Sequence, residues 1–461
     1  MSGGGRPDRK HPTRILLLAG TLFLGGLWSC TLVGVPPGAG TPGPDGPSSG
    51  PGAVDPSSTA AGEATAAARR RGSEEVRALW VVRTALHHPD SVRAMVDRAD
   101  RAGFNTLLVQ VRGRGDAFYR SRREPRAEVL SNAPTEYDPL EVVLEEAHAR
   151  GLEVHAWVNV HLVHGLGRLP ASPRHLVRSS PDLLAVPRDL ASELTDVEPH
   201  APGYVEALLR WARRNEGRIE GLFTSPSKPA VKRHVEGVLR DLLARYPLDG
   251  LHLDYLRYPS PDFDYSPGAL EAFRAWAGPQ ITASARRDLD GRAETDVTAW
   301  PDALPELWDE FRRQEVTDLM RRAERAVRAV RPGIVLTAAV RADPLDARDH
   351  RFQDWAGWLE EGLVDAVAPM AYTGSEGLFR SWVDAAVRGA GRDRVWAGIG
   401  VYKTDLPGIV DQIRIARSTG ASGVALFSYD WAVAEAPADR RGTTFLDRLG
   451  AAAFGTAVGL D

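Results

Sequence analysis

The sequence predicts an α/β barrel, in which eight parallel strands alternate with helices. Eight short apolar runs rich in β-branched and aromatic residues follow one another, and segments with helical spacing separate them. No glycine-rich phosphate fingerprint follows the first run, so the alternative, a doubly wound open sheet, is the weaker interpretation. We therefore predict a (β/α)8, or TIM, barrel. The runs cover residues 77–82, 106–111, 153–158, 250–255, 334–340, 366–372, 394–402 and 423–430.

The segments between the runs have the spacing and the end signals of helices. In one of them Val231, Val235 and Leu239 recur at helical intervals. Gly103 and Gly151 follow two others, at the position where a helix C-terminal cap is expected. The predicted helices include residues 91–102, 140–150, 231–246 and 314–330.

Two connections are long, residues 160–228 after the third run and residues 259–305 after the fourth. Both leave the carboxyl ends of strands, which is the barrel face that houses catalytic sites. We expect these two insertions to wall a cleft.

The composition excludes several classes of function. The chain has 461 residues, a formal net charge of -4 and one cysteine. No basic field is available for nucleic acid, and one cysteine builds neither a disulfide framework nor a zinc ribbon. His161 and His164 lie in a loop without an acidic partner at ligand spacing, so we expect no metal and no cofactor.

The N-terminus has the pattern of an export signal. Basic residues up to Arg14 precede an apolar run that ends shortly before Cys30, the only cysteine. This ending resembles a bacterial lipobox, so we expect residues 1–30 to be a signal peptide and Cys30 to be lipidated. The alternative is an ordinary signal peptide with a chance cysteine. Residues 31–60 hold seven prolines and seven glycines, which indicates that residues 31–74 form a tether to the barrel domain at 75–450. The protein would then be exported and anchored in the cell membrane or outer membrane, facing the periplasm or the exterior.

The period-two alternation of strands predicts which polar side chains face the barrel axis. In the fourth run Leu251 and Leu253 share the face toward the helices, which leaves His252 and Asp254 pointing inward. An inward carboxylate is costly to desolvate unless it is paired or has a chemical role. The same count, or a place at a strand end, brings further side chains toward the rim: Gln110, Arg112, His155, Trp157, Asn159, Tyr372, Tyr402, Ser428 and Asp430.

Carboxylates and aromatic rings on one rim suit a carbohydrate, because sugar C–H faces stack on rings and paired acids cleave glycosidic bonds. Structural interpretations compete with this one. His252 could be a hydrogen-bonded core imidazole, Arg112 could pair with Asp116 or Asp254, and Trp157 could belong to the core.

Several blocks of the sequence resemble the bacterial glycosyl hydrolase-like family 10. They are residues 77–80 (Arg-Ala-Leu-Trp), 104–117 (Phe-Asn-Thr-Leu-Leu-Val-Gln-Val-Arg-Gly-Arg-Gly-Asp-Ala), 137–140 (Tyr-Asp-Pro-Leu), 147–159 and 249–259, and the likeness extends over about residues 75–435. The resemblance implies a TIM-barrel glycan hydrolase, often a lipoprotein, with cell-wall glycan as substrate. It also implies that Asp254 is the leading catalytic carboxylate and that the cleft residues are Arg112, Asp116, His155, Asn159, Tyr255, Arg257 and Tyr258.

A more distant resemblance is to the chitinase-like family 18. Asp249-Gly-Leu-His-Leu-Asp254 matches that family's acidic block, and Pro369-Met-Ala-Tyr372 matches its Met-x-Tyr stretch. The family's proton-donating Glu would stand at Leu256, so its mechanism does not carry over unchanged. An N-acetyl-assisted route, with Asp254 orienting the amide and Tyr372 bonding to it, would still need a donor.

The second carboxyl group of a glycosidase is left open among four acids. Glu376, in the loop after the sixth run, is preferred because a partly desolvated loop Glu suits a proton donor. The alternatives are Asp343, Asp116 and Asp430. The sequence thus predicts an exported, monomeric glycoside hydrolase of cell-wall polysaccharide centred on Asp254. The alternative, motivated by Leu256, is a barrel that binds glycan without cleaving it.

Overall fold

A computed structural model describes residues 75–434 and 444–456 of the chain. Within it eight parallel strands close into a barrel, which confirms the predicted fold class. Around the barrel the strand order is β1-β10-β9-β8-β7-β6-β3-β2, and β4 and β5 form a separate antiparallel pair. The strands are β1 (Val76–Val81), β2 (Thr106–Arg112), β3 (Glu153–Asn159), β4 (Leu162–His164), β5 (Leu222–Phe223), β6 (Gly250–Asp254), β7 (Val335–Arg341), β8 (Ala366–Met370), β9 (Trp396–Gly400) and β10 (Gly423–Phe427).

Helices follow the strands and cover the outside of the barrel. Several begin with proline, among them those at Pro89, Pro139 and Pro229, where the missing N–H removes no helical hydrogen bond. No helix in the described ranges is long and apolar enough to cross a membrane. The α-helices are α1 (Pro89–Arg101), α2 (Pro139–His148), α3 (Leu176–Ser179), α4 (Ala191–Leu194), α5 (Tyr204–Arg214), α6 (Pro229–Arg245), α7 (Pro267–Ala277), α8 (Ala283–Arg292), α9 (Ala299–Ala303), α10 (Pro305–Val330), α11 (Pro344–His350), α12 (Trp355–Glu360), α13 (Glu376–Ala390), α14 (Leu406–Thr419), α15 (Tyr429–Ala434) and α16 (Phe445–Phe454).

Side chains of alternate strand residues form two separate packed layers. Leu251 and Leu253 belong to the large cluster between the sheet and the helices, as the alternation predicts. A smaller cluster fills the barrel itself, with Trp80, Trp157 and Trp396 as its largest members. The interior of the barrel is thus a packed core, and in this fold a ligand is expected at the rim.

The longest connections follow β3 and β6, and they lie at the carboxyl ends of the strands. The first carries the β4–β5 hairpin and α5, and the second carries α7, α8 and α9. Arg188 of the first forms a bidentate ion pair with Asp302 of the second, at 2.5 and 2.6 Å. The two connections are therefore tied to each other as well as to the barrel.

The N-terminal predictions lie outside the described residues. They are the signal peptide at 1–30, lipidation of Cys30 and the tether at 31–74. They stay predictions.

Candidate active site

Asp254 ends β6 with its carboxyl group enclosed in the rim of the barrel. The indole Nε1 of Trp157 donates a hydrogen bond to Oδ2 at 3.2 Å, and the backbone N–H of Tyr255 donates to Oδ1 at 2.6 Å. Only 6 % of the residue is exposed. Burial raises the pKa of Asp254 to about 6, against the opposing effect of the Arg257 guanidinium. The carboxyl group can therefore both hold and release a proton near neutral pH.

Tyr255 turns the chain sharply directly after this carboxylate. Its φ of 52° lies in the left-handed region, which a residue with a side chain adopts at a cost of about 1–2 kcal/mol. The turn brings the backbone N–H onto Asp254 and places the ring beside Phe223, with a centroid distance of 5.9 Å. The guanidinium of Arg257 lies 4.7 Å from the centre of the same ring. A strained residue thus connects the acid to its neighbours.

Glu220 is a second carboxylate at this place, and the sequence did not predict it. Its Oε1 lies 3.4 Å from Nη2 of Arg257, and its side chain is 34 % exposed. Its negative charge contributes to the raised pKa of Asp254. Two carboxyl groups, one enclosed and one partly exposed, therefore lie near Arg257.

Gly221 holds Glu220 where it is. The β4–β5 hairpin approaches so closely that a Cβ at this glycine would lie 1.8 Å from the carbonyl oxygen of His164, and the φ of +154° also favours glycine. The short strand after Gly221 has only two residues, Leu222 and Phe223. A pattern so short predicts no strand, so the sequence carries no signal that brings Glu220 to the rim.

Aromatic side chains form one wall of the rim. Tyr372 stacks on Phe427 at a centroid distance of 5.3 Å, and Tyr402 stacks on Trp431 at 5.2 Å. Tyr372 also meets the edge of Trp80 from the layer below, at 6.3 Å. The two tyrosines were expected here, whereas Phe427 and Trp431 were not. Half-exposed rings in this arrangement are suited to stacking on the C–H face of a sugar.

His252 belongs to the floor beneath the rim, which corrects the expectation that it binds substrate. Its Nε2 accepts a hydrogen bond from Nε1 of Trp80 at 3.1 Å, so the ring proton lies on Nδ1, which is 2.8 Å from Oγ1 of Thr337. The side chain is fully buried, and burial lowers its pKa to about 3. His252 is a neutral core imidazole that seals the space below Asp254.

His155 is also removed from the rim. It pairs in register with Gly250, the first residue of β6, whereas Asn159 pairs with Asp254. Four residues along a strand correspond to about 13 Å. The imidazole is fully buried and packs against Trp396 with a centroid distance of 5.6 Å. The expected contact with substrate was wrong, because His155 lies four residues along the strand from the level of Asp254 and is fully buried.

Arg112 is buried beneath the rim and stabilises the end of β3. Its Nε donates to Glu124 at 2.7 Å, and another of its nitrogens donates to the backbone carbonyl of Asn159. Although burial raises the pKa of Glu124, Arg112 and His234 together hold it down to about 2. The expected partners of Arg112, Asp116 and Asp254, were wrong. The buried ion pair positions the end of β3 and offers nothing to a ligand.

Two further residues implied by the resemblance are buried. The amide Nδ2 of Asn159 donates to the carbonyl of Gly113 at 2.9 Å, and its residue is 1 % exposed. Tyr258 packs edge-on against Phe352 with a centroid distance of 5.4 Å and is equally enclosed. Neither reaches the surface of the cleft. Leu256, at the position of the family 18 proton donor, is buried as well.

The other acids considered from the sequence are placed at the margin. Glu376 is exposed at the first position of α13, and its side chain makes no hydrogen bond or ion pair within the described ranges. Asp343 caps α11 by accepting from Leu345 N–H at 2.9 Å. Asp116 accepts from the backbone N–H of Arg114 at 3.0 Å. β10 ends at Phe427, so Asp430 lies in α15, where it accepts from Val82 N–H at 3.1 Å.

No three His, Cys, Asp or Glu side chains in the part of the chain that the structure describes are grouped as metal ligands would be. The chemistry available at the rim is that of carboxyl groups, guanidinium groups and aromatic rings.

The glycosyl hydrolase-like 10 model matches residues 75–402, which contain β1 to β9 and every residue of the rim except those after Tyr402. The chain belongs to the glycosyl hydrolase-like 10 family.

Relatives and solved structures of glycosidases share this fold. The chain is 25 % identical to the glycosyl hydrolase DigH of Escherichia coli K12 over 398 residues, which cover 76 % of this chain and 79 % of DigH. It is 23 % identical to the glycosyl hydrolase YngK of Bacillus subtilis, over 66 % of this chain and 55 % of YngK. The glycoside hydrolase domain of PgaB (BpsB) from Bordetella bronchiseptica has a TM-score of 0.56 at 18 % identity, over 82 % of this chain and 99 % of that domain. The β-galactosidase Gan42B from G. stearothermophilus has a TM-score of 0.53 at 15 % identity, over 84 % and 57 %. This glycosyl hydrolase-like 10 member therefore has the barrel fold that these glycosidases share, and its family is glycosidase-like.

Proposed function

We propose that this protein hydrolyses glycosidic bonds of a bacterial cell-wall polysaccharide, with Asp254 as the proton-transferring carboxyl group. The observation that carries the proposal is the enclosed Asp254 carboxyl at the carboxyl end of a barrel strand, with a pKa raised by burial to about 6. An acid with such a pKa is partly protonated at the pH of most cell exteriors and so can protonate a leaving oxygen.

Glu220 supplies the second carboxylate of the proposed mechanism. Its ion pair with Arg257 orients it, and its exposed side chain is accessible to water or to a sugar ring. It would activate water in an inverting reaction or attack the anomeric carbon in a retaining one. A separation of about 6.5–9.5 Å between the carboxyl groups suits inversion, and about 5–5.5 Å suits retention. Glu376, preferred from the sequence, is the competing candidate for this role.

The aromatic wall orients the sugar for this chemistry. Stacking on Tyr372 or Tyr402 would align the glycosidic oxygen with the rim. The hydroxyl of Tyr372 also interacts electrostatically with the carboxylate of Asp254. Export, an anchor at Cys30 and cell-wall glycan as the substrate belong to the same proposal. They are supported by the signal-like N-terminal sequence and by the family.

The test is cleavage of peptide-free cell-wall glycan by the purified protein and by single variants, with new reducing ends measured. We expect Asp254→Asn to lower kcat by about 10²–10⁴-fold, as removal of a general acid does. Glu220→Gln should cause a loss of similar size. Glu376→Gln, an equal change at an exposed acid, should leave the rate within about twofold.

The outcomes separate the alternatives. Full activity of Asp254→Asn would refute the central assignment. A large loss in Glu376→Gln, with Glu220→Gln active, would return the second role to Glu376. Binding of glycan without cleavage by wild type would establish the non-hydrolytic barrel instead.

A further inference from the structure

Two arginines at the β1 and β2 side of the rim form no ion pair with any acidic side chain among the described residues. Arg83 opens the turn after β1, and Arg114 follows the end of β2. Within the described ranges neither guanidinium group forms an ion pair; the bond recorded for Arg83 is to the neutral amide oxygen of Gln110, at 2.7 Å. By contrast, Arg112 and Arg257, on the same rim, are each paired with a glutamate.

The two cations are partly buried neighbours, because Arg83 lies across Gly113, the residue that precedes Arg114. Burial and the charge of Arg114 lower the pKa of Arg83 to about 10. Cations that are half-buried near each other raise the energy of the empty site, and a bound anion would relieve this cost. Unlike exposed surface arginines, this pair is therefore stabilised when an anion binds to it.

Backbone without side chains makes room for both groups. A Cβ at Gly113 would lie 2.7 Å from Cδ of Arg83, and a Cβ at Gly165 would lie 3.3 Å from Nε of Arg114. Each arginine thus lies across a glycine of a rim loop. The two glycines therefore leave room for both side chains to lie along the rim.

The nearby acids are engaged elsewhere. Asp116 accepts from the backbone N–H of Arg114 at 3.0 Å, and Asp430 accepts from Val82 N–H at 3.1 Å and from the hydroxyl of Thr84. Both are near enough to raise the pKa of Arg83, but neither is in ion-pair contact with it. Because they flank the pair, a singly charged carboxylate fits the site better than a doubly charged phosphate.

The pair also adjoins the candidate active site. The hydroxyl of Tyr255 interacts electrostatically with both Arg83 and Arg114. The backbone N–H of the same tyrosine donates to Asp254. A group held by the arginines would therefore belong to a sugar at or next to the bond that is cleaved.

We propose that Arg83 and Arg114 form an anion subsite that binds the carboxylate of an acidic sugar in the glycan. This inference rests on the proposed function and specifies its substrate class. The two guanidinium groups would donate charge-assisted hydrogen bonds to the carboxylate oxygens. A neutral glycan of the same linkage would leave both groups without a partner.

The test measures binding to the full-length Asp254→Asn protein by calorimetry, so that turnover does not interfere. One ligand is a peptide-free peptidoglycan oligosaccharide, which carries lactyl ether carboxylates. The second is the same oligosaccharide with its carboxyl groups reduced to alcohols. A hyaluronan oligosaccharide and its reduced form add a uronic acid carboxylate as the other source of the same chemistry.

We expect the carboxylated form of at least one glycan to bind at least tenfold more tightly than its reduced form. Arg83→Gln and Arg114→Gln should each weaken the carboxylated ligand about tenfold or more, the size of one charge-assisted hydrogen bond, and leave the reduced ligand unchanged. Arg325→Gln removes an equal charge from the exposed face of α10 and should change neither affinity.

Equal affinity for carboxylated and reduced glycans, measured with Arg83 and Arg114 both present, would refute the proposed anion subsite. The glycosidase proposal would still stand. This comparison needs no folded arginine variant. An equal loss of both ligands in the arginine variants would likewise overturn the subsite. Absence of binding by every glycan would reject the proposed function and the subsite together.

Discussion

Replacing Trp157 by phenylalanine should shift the pH dependence of catalysis upward by about one unit. The indole N–H donates to Oδ2 of Asp254 at 3.2 Å and so stabilises the ionised carboxylate. A hydrogen bond to a charged group contributes about 1.5–3 kcal/mol, and the length of this one favours the lower end. Since about 1.4 kcal/mol corresponds to one pKa unit, its loss should raise the pKa of Asp254 from about 6 to about 7.

The sign follows from the role of the group. A general acid must be protonated, so the rate falls as the pH rises through its pKa. The basic limb of kcat/KM should therefore move to higher pH in Trp157→Phe. The phenyl ring keeps most of the packing inside the barrel, where Trp157 contacts Phe427 at a centroid distance of 6.3 Å.

The assay is kcat/KM for glycan cleavage over the range from about pH 5 to about pH 9, which reports the pKa values of the free enzyme. The matched control is Trp396→Phe, an identical change in the same inner cluster with no bond to Asp254. Its basic limb should stay in place. A basic limb in Trp157→Phe that coincides with the wild-type limb would refute the assignment of the titrating acid to Asp254.

Three further predictions concern stability. Asp254→Asn should raise the free energy of unfolding by about 2 kcal/mol above pH 7, because a pKa raised from 3.8 to about 6 costs the folded state about 3 kcal/mol and one donor loses its acceptor at about 1 kcal/mol. The gain should fall in denaturant titrations as the pH drops below about 6, where the folded carboxyl becomes protonated, and should be absent below pH 3.8, where the carboxyl is protonated in both states. Arg112→Met should lower the free energy of unfolding by about 3 kcal/mol, because it leaves the carboxylate of Glu124 buried without its arginine partner. An unchanged denaturation midpoint would contradict this prediction. Gly221→Ala should cost about 1–3 kcal/mol through overpacking and also lower kcat by displacing Glu220, whereas Gly217→Ala, with no atom within 4 Å of the added Cβ, should leave kcat unchanged.

The barrel was predictable because each strand is buried on both faces and therefore consists mostly of apolar residues. The eight predicted runs each overlap one observed barrel strand, although 394–402 and 423–430 extend past strands that end at Gly400 and Phe427. Beyond those two ends the sequence still contains residues that are common in strands, although the chain has already left the sheet.

The site was predictable only in part. The alternation on β6 is short-range information, and it placed Asp254 inward correctly. It does not report depth along the strand, so His155 and His252 were expected at the rim although they lie below it. Glu220 and Arg257 meet through an insertion whose course depends on long-range packing, which no local pattern encodes.

The two carboxylates of the candidate site belong to two structurally distinct parts of the molecule, the closed barrel and a loop hairpin. Asp254 belongs to a strand of the closed barrel, whereas Glu220 lies two residues before the short strand Leu222–Phe223 of a loop hairpin. The spacing between them is thus set by how the hairpin lies on the barrel. Insertions and deletions in that loop could retune the spacing, and with it the stereochemical course or the size of the sugar accepted, without loss of the barrel. The reaction of the fold can in this way vary through the hairpin while the closed barrel is kept.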